Sequence, residues 1–295
     1  MKIALIVNPC SSGKTGKKQL PVVERELKSR EIEYDLFVTE HHLHAVSIAE
    51  ELPIEDYDGI ACMGGDGTNC QVLNGLLKSR DPEEIPPLGI IPTGRGNSFV
   101  KDLDIETVQD GIEALARRTP RKVDVCSFTQ GEDHHYFINL MGFGFVTDVA
   151  ETAGRFRHLG SFSYVVGVLL RTIRFGLHEM ELQVDGETIS ARNCFVEFCN
   201  SRFTGGNMLM APDAVIDDGY FDIVIVGAVS RFSLIATFPK LFKGTHGSNS
   251  AVTFIKGKKA VIQTTPQKTL LPDGEVFGTT PTEINIHPKL VRYFV

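Results

Sequence analysis

The chain has 295 residues, 42% hydrophobic and 23% charged, with a formal net charge of −7. Length over ~150 gives about two domains, the composition excludes a disordered chain, and the negative balance argues against a broad nucleic-acid-binding surface. The longest apolar run, YVVGVLL at 164–170, is far shorter than the ~20 residues of a membrane span. The start MKIALIVNP reads as a strand rather than a signal peptide, so a cytoplasmic protein without a transmembrane segment is expected.

In chain order, KIALIVNP reads as a buried strand, 14–30 as a helix with Val22, Val23 and Leu27 inward, and EYDLFVT as a second strand. A helix over about 44–52 follows HHLH, His41 to His44, which reads as a polar helix start rather than a metal cluster. GIACM is a third strand. The glycine-rich GGDGT comes next, and then a helix with Val72, Leu73, Leu76 and Leu77 on one face. PLGIIP is a fourth strand, and TVQDGIEALARR a further helix ending before Pro120. Strands alternating with helices predict a parallel sheet covered on both faces.

From about Val123 the period changes to closely spaced strands separated by turn pairs such as Asp185-Gly186 and Asp218-Gly219, with His134-His135 read as a turn. This predicts an antiparallel β-sandwich, interrupted by helices near 161–175 and 230–242. The expected organisation is therefore α/β plus all-β. An α/β nucleotide-binding domain spans 1–125 and a β-sandwich domain 126–295, with a return of the last ~15 residues to the first domain left open. No repeat or low-complexity linker is present, so direct packing around a cleft is expected. Six cysteines without CxxC spacing read as free thiols.

Three strand ends carry chemistry. NPCSSGKTGKK holds Gly-Lys-Thr after a strand, but Asn8 stands where a P-loop needs glycine, so that pattern fails. Ser11, Ser12, Gly13 and Lys14 still suit a phosphate. In MGGDGTNCQVLNG, a turn whose helix N-terminus favours an anion contains a carboxylate, Asp66. An acid where an anion binds requires a cation between them. PTGRGNS repeats the glycine-rich pattern after the next strand. Further on, APDAVIDDGYFD places four aspartates in ten residues, and LLPDGE sets two acids around a glycine. Taken alone, each reads first as a hairpin turn.

NPCSSGK, GGDGTNCQVLNG, PLGIIPTGRGNS, KVDV, APDAVIDDGYFD and LPDGE, in this order and spacing, resemble the lipid kinases of the diacylglycerol kinase catalytic type. That family includes sphingosine kinases and YegS-like lipid kinases. The resemblance runs over nearly the whole chain. It implies an α/β nucleotide domain, a β-sandwich lipid-acceptor domain, ATP and Mg²⁺ as cofactors, and a lipid substrate met peripherally at a membrane surface. By the same resemblance, Asn8, Ser11, Lys14 and Thr39 match nucleotide-contacting positions. Gly64, Gly65, Asp66, Gly67 and Thr68 match the phosphate and Mg²⁺ loop, continued by Gly94 and Arg95. Asp124 matches a carboxylate behind that loop. Asp218 matches a ligand of a structural Mg²⁺, with backbone carbonyls near Val215 and Tyr220. Asp273 matches the catalytic base and Glu275 its acidic neighbour, both expected to face the cleft.

Two positions depart from the family pattern: Arg95 stands for a threonine, and Ser98 for an acid that supports metal. Asp102, one helical turn after Ser98, is the candidate replacement. The implied activity is an ATP-dependent lipid kinase acting on a primary hydroxyl, of diacylglycerol first and of a sphingoid base as the alternative. A non-catalytic lipid or nucleotide sensor is the reading from a different class. NAD kinases share Gly-Gly-Asp-Gly, but PLGIIPTGRGN fits the lipid kinases. For the membrane, Arg155, Arg157, Arg171 and Arg174 beside Phe162, Val165, Val166, Leu169 and Ile173, with Lys240 and Lys243, form the candidate contact, against the reading of that stripe as core. No sequence feature specifies an oligomeric state.

Overall fold

In the computed structural model, which describes residues 1–156, 162–173 and 176–295, the chain divides into two units. Met1–Asp124 with Lys289–Val295 form the first, and Val125–Pro288 the second. The first unit contains β1 (Lys2–Val7), α1 (Ser11–Ser29), β2 (Glu33–Val38), α2 (His44–Glu51), β3 (Gly59–Gly64), α3 (Asp66–Ser79), β4 (Leu88–Pro92) and α4 (Val108–Arg117). Its strands are parallel in the order β4-β3-β1-β2. Every residue of β3 and β4 is buried, as expected for strands covered on both faces, whereas β2 lies at the edge and is largely exposed. This order reverses chain direction around β1 and β3, and the loops that follow them emerge together at the C-terminal strand ends.

The chain leaves the first unit within β5 (Pro120–Gln130). The second unit then holds β6 (Asp133–Phe137), β7 (Leu140–Gly144), α5 (Phe145–Arg155), α6 (Phe162–Thr172), β8 (His178–Val184), β9 (Glu187–Cys199), and the short β10 (Phe203–Thr204) and β11 (Met208–Leu209). It continues through β12 (Phe221–Gly227), α7 (Arg231–Thr237), β13 (Val252–Gly257), β14 (Lys259–Thr265) and β15 (Leu270–Pro272), and returns along β16 (Thr282–Phe294). The pairings β13-β12-β9-β8-β14-β16 are antiparallel, and β7 joins both β9 and β15. One apolar core gathers Phe128, Phe137, Phe143, Phe198, Phe221 and Ile262. A second lies on the helical side, where Phe145, Val149 and Val168 meet Phe195, Val224 and Leu234.

Two expectations are corrected. His134 and His135 belong to β6, paired with β5, because the turn falls earlier at Gly131 with φ 63°. Helix α5 was not anticipated. Its signal is the spacing of Phe145, Val149 and Ala153, four apart and all buried on one face. All six cysteines are free thiols. Among the described residues no helix is long and apolar enough to cross a membrane.

Candidate active site

In the first unit, hydrogen bonds join the loops after β1, β3 and β4. Asn8 donates from Nδ2 to Thr68 Oγ1 at 3.2 Å, and Ser11 and Thr93 share a buried hydroxyl bond of 2.8 Å. The backbone N–H groups of Thr93 and Gly94 both donate to the Gly64 carbonyl, at 2.8 and 3.1 Å. Thr39, nearly buried at the end of β2, donates its N–H to Val7. Glycine is required where the second and third loops meet: a Cβ on Gly94 would stand 2.4 Å from Gly65 Cα. After β1, Ser12, Gly13 and Lys14 are all left-handed, with φ of 46°, 71° and 78°. Two strained non-glycine residues flanking a glycine mark a backbone shaped for a purpose, and such concave amide arrays bind anions. Helix α3 begins at Asp66 without a side-chain cap on its first N–H groups, which leaves that end suited to an anion.

Asp66 is partly exposed, yet its carboxylate is tied inward. Ser98 N donates to both oxygens at 3.0 and 2.9 Å, and Phe99 N donates to Oδ1 at 3.2 Å. Desolvation raises its pKa, opposed by those N–H donors and by Lys101. The residue therefore holds the third loop against the second. Three backbone donations meet its two oxygens, so Asp66 has a loop-joining role beside the one expected of it toward a metal. The Asp102 expectation fails. Phe99–Leu103 is a 3-10 helix, in which positions three apart eclipse, so Lys101 rather than Asp102 aligns with Ser98. Arg95 is exposed in the third loop. Asp124, fully buried, accepts from Lys289 N at 2.6 Å and so anchors the returning strand.

In the second unit, Asp273 and Gly274 have φ of 46° and 84°, and Glu275 N donates to the Pro272 carbonyl at 2.9 Å. This is the primed turn favoured in hairpins, so LPDGE does form a tight turn. Its aspartate does more than turn the chain. Asp273 is buried, and its carboxylate accepts from Ile138 N at 2.9 Å, Asn139 N at 2.9 Å and Leu140 N at 3.1 Å. Its own N–H donates to the Leu140 carbonyl. Glu275 is exposed. The two acids thus do not share a facing direction, contrary to expectation, because a primed turn sends the buried carboxylate into its own unit.

Asp218, the expected ligand of a structural Mg²⁺, is engaged within its own turn. Its Oδ1 accepts from Tyr220 N at 3.0 Å and its Oδ2 meets Lys256 Nζ at 2.8 Å, while the same ammonium lies 3.5 Å from Asp222. The lysine supplies the positive charge the ion was expected to bring. Val215 and Tyr220 are exposed flanks of this turn. Among the described residues no three His, Cys, Asp or Glu side chains are grouped to hold a metal; a site of one carboxylate and backbone carbonyls would not form such a group, and here that carboxylate is paired with Lys256.

Four buried polar residues escaped sequence reading. Asn69 accepts from Tyr293 OH at 2.9 Å and so receives the returning strand. His178 and Asn193 face each other across β8 and β9, both buried, with no hydrogen-bond partner for their side chains among the described residues. Burial lowers the His178 pKa to about 4. Glu197, 4% exposed on β9, has its Oε2 unpartnered in the same sense, and burial raises its pKa to about 8. Gly142 on β7 makes room for it: a Cβ there would lie 2.8 Å from Glu197 Cγ. No local pattern announces these residues, since a lone Glu in NCFVEFCN reads as an outward strand position.

The chain thus pairs an α/β unit with anion-suited strand ends with an antiparallel unit. Two family models match the chain: the diacylglycerol kinase catalytic domain over residues 2–128, and the YegS C-terminal NAD kinase beta sandwich-like domain over residues 139–295. The chain belongs to this diacylglycerol kinase family of lipid kinases. It is 28% identical over 280 residues to a diacylglycerol kinase of Staphylococcus aureus strain RF122 / ET3-1, covering 94% of this chain and 87% of that one. It is 24% identical over 314 residues to sphingosine kinase 1 of Arabidopsis thaliana, covering 89% of this chain but only 64% of the plant protein. The fold is similar to a crystal structure of a diacylglycerol kinase from Bacillus anthracis str. Sterne, with a TM-score of 0.77 at 21% identity over 99% of this chain and 96% of that chain.

Proposed function

We propose that the protein is an ATP-dependent kinase that phosphorylates a primary hydroxyl of diacylglycerol. The observation that carries this reading is the joining of three loops in the first unit through Asn8–Thr68, Ser11–Thr93 and Asp66–Ser98. Phosphoryl transfer needs positioning and charge neutralisation more than covalent chemistry, and a tied cradle of backbone N–H groups supplies both. In this reading Asn8, Ser11, Lys14, Thr39, Gly64 to Thr68, Gly94 and Arg95 contact the nucleotide. Mg²⁺, bound mainly through phosphates and water as is usual for this ion, would neutralise charge on the phosphates. Asp66 would stand behind it, its carboxylate locking the loop that Arg95 occupies. Asp273 would accept the hydroxyl proton, with Glu275 next in line, and Asp124 would keep the returning strand in place. Relatives named diacylglycerol kinase, 27–28% identical over nearly the whole chain, favour the glycerolipid, while the plant sphingosine kinase keeps a sphingoid base as the second acceptor. A cytoplasmic enzyme working peripherally on a membrane completes the reading.

The test is incubation of the purified chain with labelled ATP, Mg²⁺ and a panel of diacylglycerol and sphingoid bases, with the product identified by mass. Phosphatidic acid is the expected product. Transfer to no lipid in the panel overturns the reading.

A further inference from the structure

Helix α7 and the 3-10 helix that follows it, Phe238–Lys243, are apolar on both sides. Leu234, Phe238 and Leu241 turn inward onto the helical-side core. The opposite side carries Phe232, 88% exposed and the most exposed large hydrophobic residue described, together with Ile235 and Phe242. Helix α6 packs beside α7 and adds Leu169, Leu170 and Ile173, all exposed. A clustered exposed apolar surface marks an interaction site.

The charge around this surface selects the occupant. Arg231 and Lys243 are exposed, and neither has an acidic partner among the described residues; Lys240 donates to Ser248 at 2.9 Å. From 223 to 272 the sequence contains no Asp or Glu, in a chain with 37 of them. The nearest acids on α5, Asp148 and Glu151, are engaged by Arg171 at 4.0 and 3.6 Å. Arg171 is therefore turned to α5 rather than outward, which removes it from the contact expected from sequence. Arg157, Arg174 and the Phe162 side chain lie outside the described residues. A basic rim around aromatic and aliphatic side chains, set in an otherwise acidic chain, is the pattern of an interfacial segment on anionic lipid.

We infer that the outer side of α7 and Phe238–Lys243, continued by Leu169–Ile173 of α6, docks on an anionic bilayer, with Phe232 and Phe242 entering the acyl boundary and Arg231 and Lys243 meeting headgroups. This deepens the lipid-kinase reading, since among the described residues no helix crosses a membrane and a membrane-embedded acceptor must still be reached. It does not depend on which residue takes the proton.

The experiment is co-sedimentation of the full chain with phosphatidylcholine vesicles, with and without phosphatidylglycerol, at low and high salt. Binding is expected only with the anionic lipid and is expected to weaken with salt. Phe232→Ser and Phe242→Ser should each weaken binding ~10-fold. Arg231→Glu and Lys243→Glu should each weaken it ~5-fold at low salt, with little further effect at high salt. All four positions are exposed, so unchanged melting confirms that the variants are folded. Parental binding by the Phe232 variant, equal binding to neutral vesicles, or a Phe232-dependent dimer in lipid-free buffer each overturns the inference. Turnover on a short-chain, water-soluble acceptor separates the two readings. If the parent phosphorylates that acceptor but does not bind vesicles, docking fails and the kinase stands. If it binds vesicles but phosphorylates nothing, the kinase fails and docking stands.

Discussion

Asp66 and Asp273 stand in different units and different kinds of turn, yet each spends its carboxylate on backbone. Asp66 takes the N–H groups of Ser98 and Phe99, and Asp273 takes those of Ile138, Asn139 and Leu140. The difference lies in burial and strain. Asp66 begins a helix and remains partly exposed, whereas Asp273 is buried with a left-handed backbone. The acid of GGDGT therefore joins two loops, and the acid of LPDGE makes a rigid corner of the antiparallel unit. Glu197 supplies the contrast, a buried carboxylate whose Oε2 no described donor meets.

The largest effect is expected at Asp273. Asn offers one carbonyl oxygen and places an amide NH₂ against N–H donors. The carbonyl can keep Asn139 N and Leu140 N while the amide orphans Ile138 N, so Asp273→Asn should cost about 3 kcal/mol of stability, the upper end for one orphaned donor, measured by urea unfolding of the full chain. If the residue is also the base, turnover of the fraction that remains folded falls by a further ~10²–10⁴. Full turnover per folded molecule would leave Asp273 a structural anchor and move the base to Glu275.

Glu197 sharpens the contrast through pH. Its folded pKa, about 8, stands above its ordinary 4.5, so the folded chain holds a proton that the unfolded chain releases. That contribution is fully present below pH 4.5 and is lost as pH rises toward 8. Between pH 4.5 and 7 the loss should reach about 3 kcal/mol, and Glu197→Gln should flatten that slope. A parental melting profile that does not fall over this range would show that the carboxylate is solvated or paired.

Asp66→Asn should cost about 2 kcal/mol, since fewer N–H groups meet its carboxylate, and should weaken nucleotide binding by releasing the third loop. Calorimetric titration with a nucleotide analogue reads this directly. Unchanged affinity in a folded variant would break the parallel with Asp273. The smallest effect belongs to Asp218. Its partly exposed pair with Lys256 is worth ~0–1 kcal/mol, so Asp218→Asn should barely move the melting temperature, and chelator should not move that of the parent. A chelator-induced fall would restore the ion that the lysine replaces here.

Both acids sit in motifs legible one at a time. Gly64, Gly65 and Gly94 are demanded by close approach, the strand before each loop by a run of apolar residues, and the Asp273-Gly274 pair by its turn. The partners were not legible. Ser98 lies 32 positions from Asp66, and Asn139 lies 134 from Asp273. Asp102 shows how a local rule misleads: four-residue spacing implies a shared face only on an α-helix, and the chain there winds as a 3-10 helix. On α6 the stripe residues Leu169 and Ile173 lie outside, whereas Val168, off the stripe, lies in the core, because periodicity says which residues share a face and not what that face meets.

By itself the sequence determined the class of each unit and the glycine-rich turns at the strand ends, because propensity, period and turn chemistry act within a few residues, while the lipid-kinase family was legible only as a resemblance of motifs. Only the tertiary structure decided what the carboxylates do. Whether Asp66, Asp218, Asp273 or Glu197 meets an N–H group, an ammonium or apolar side chains depends on segments far away in the chain. Burial then makes the choice of partner decisive, since a desolvated charge tolerates few alternatives.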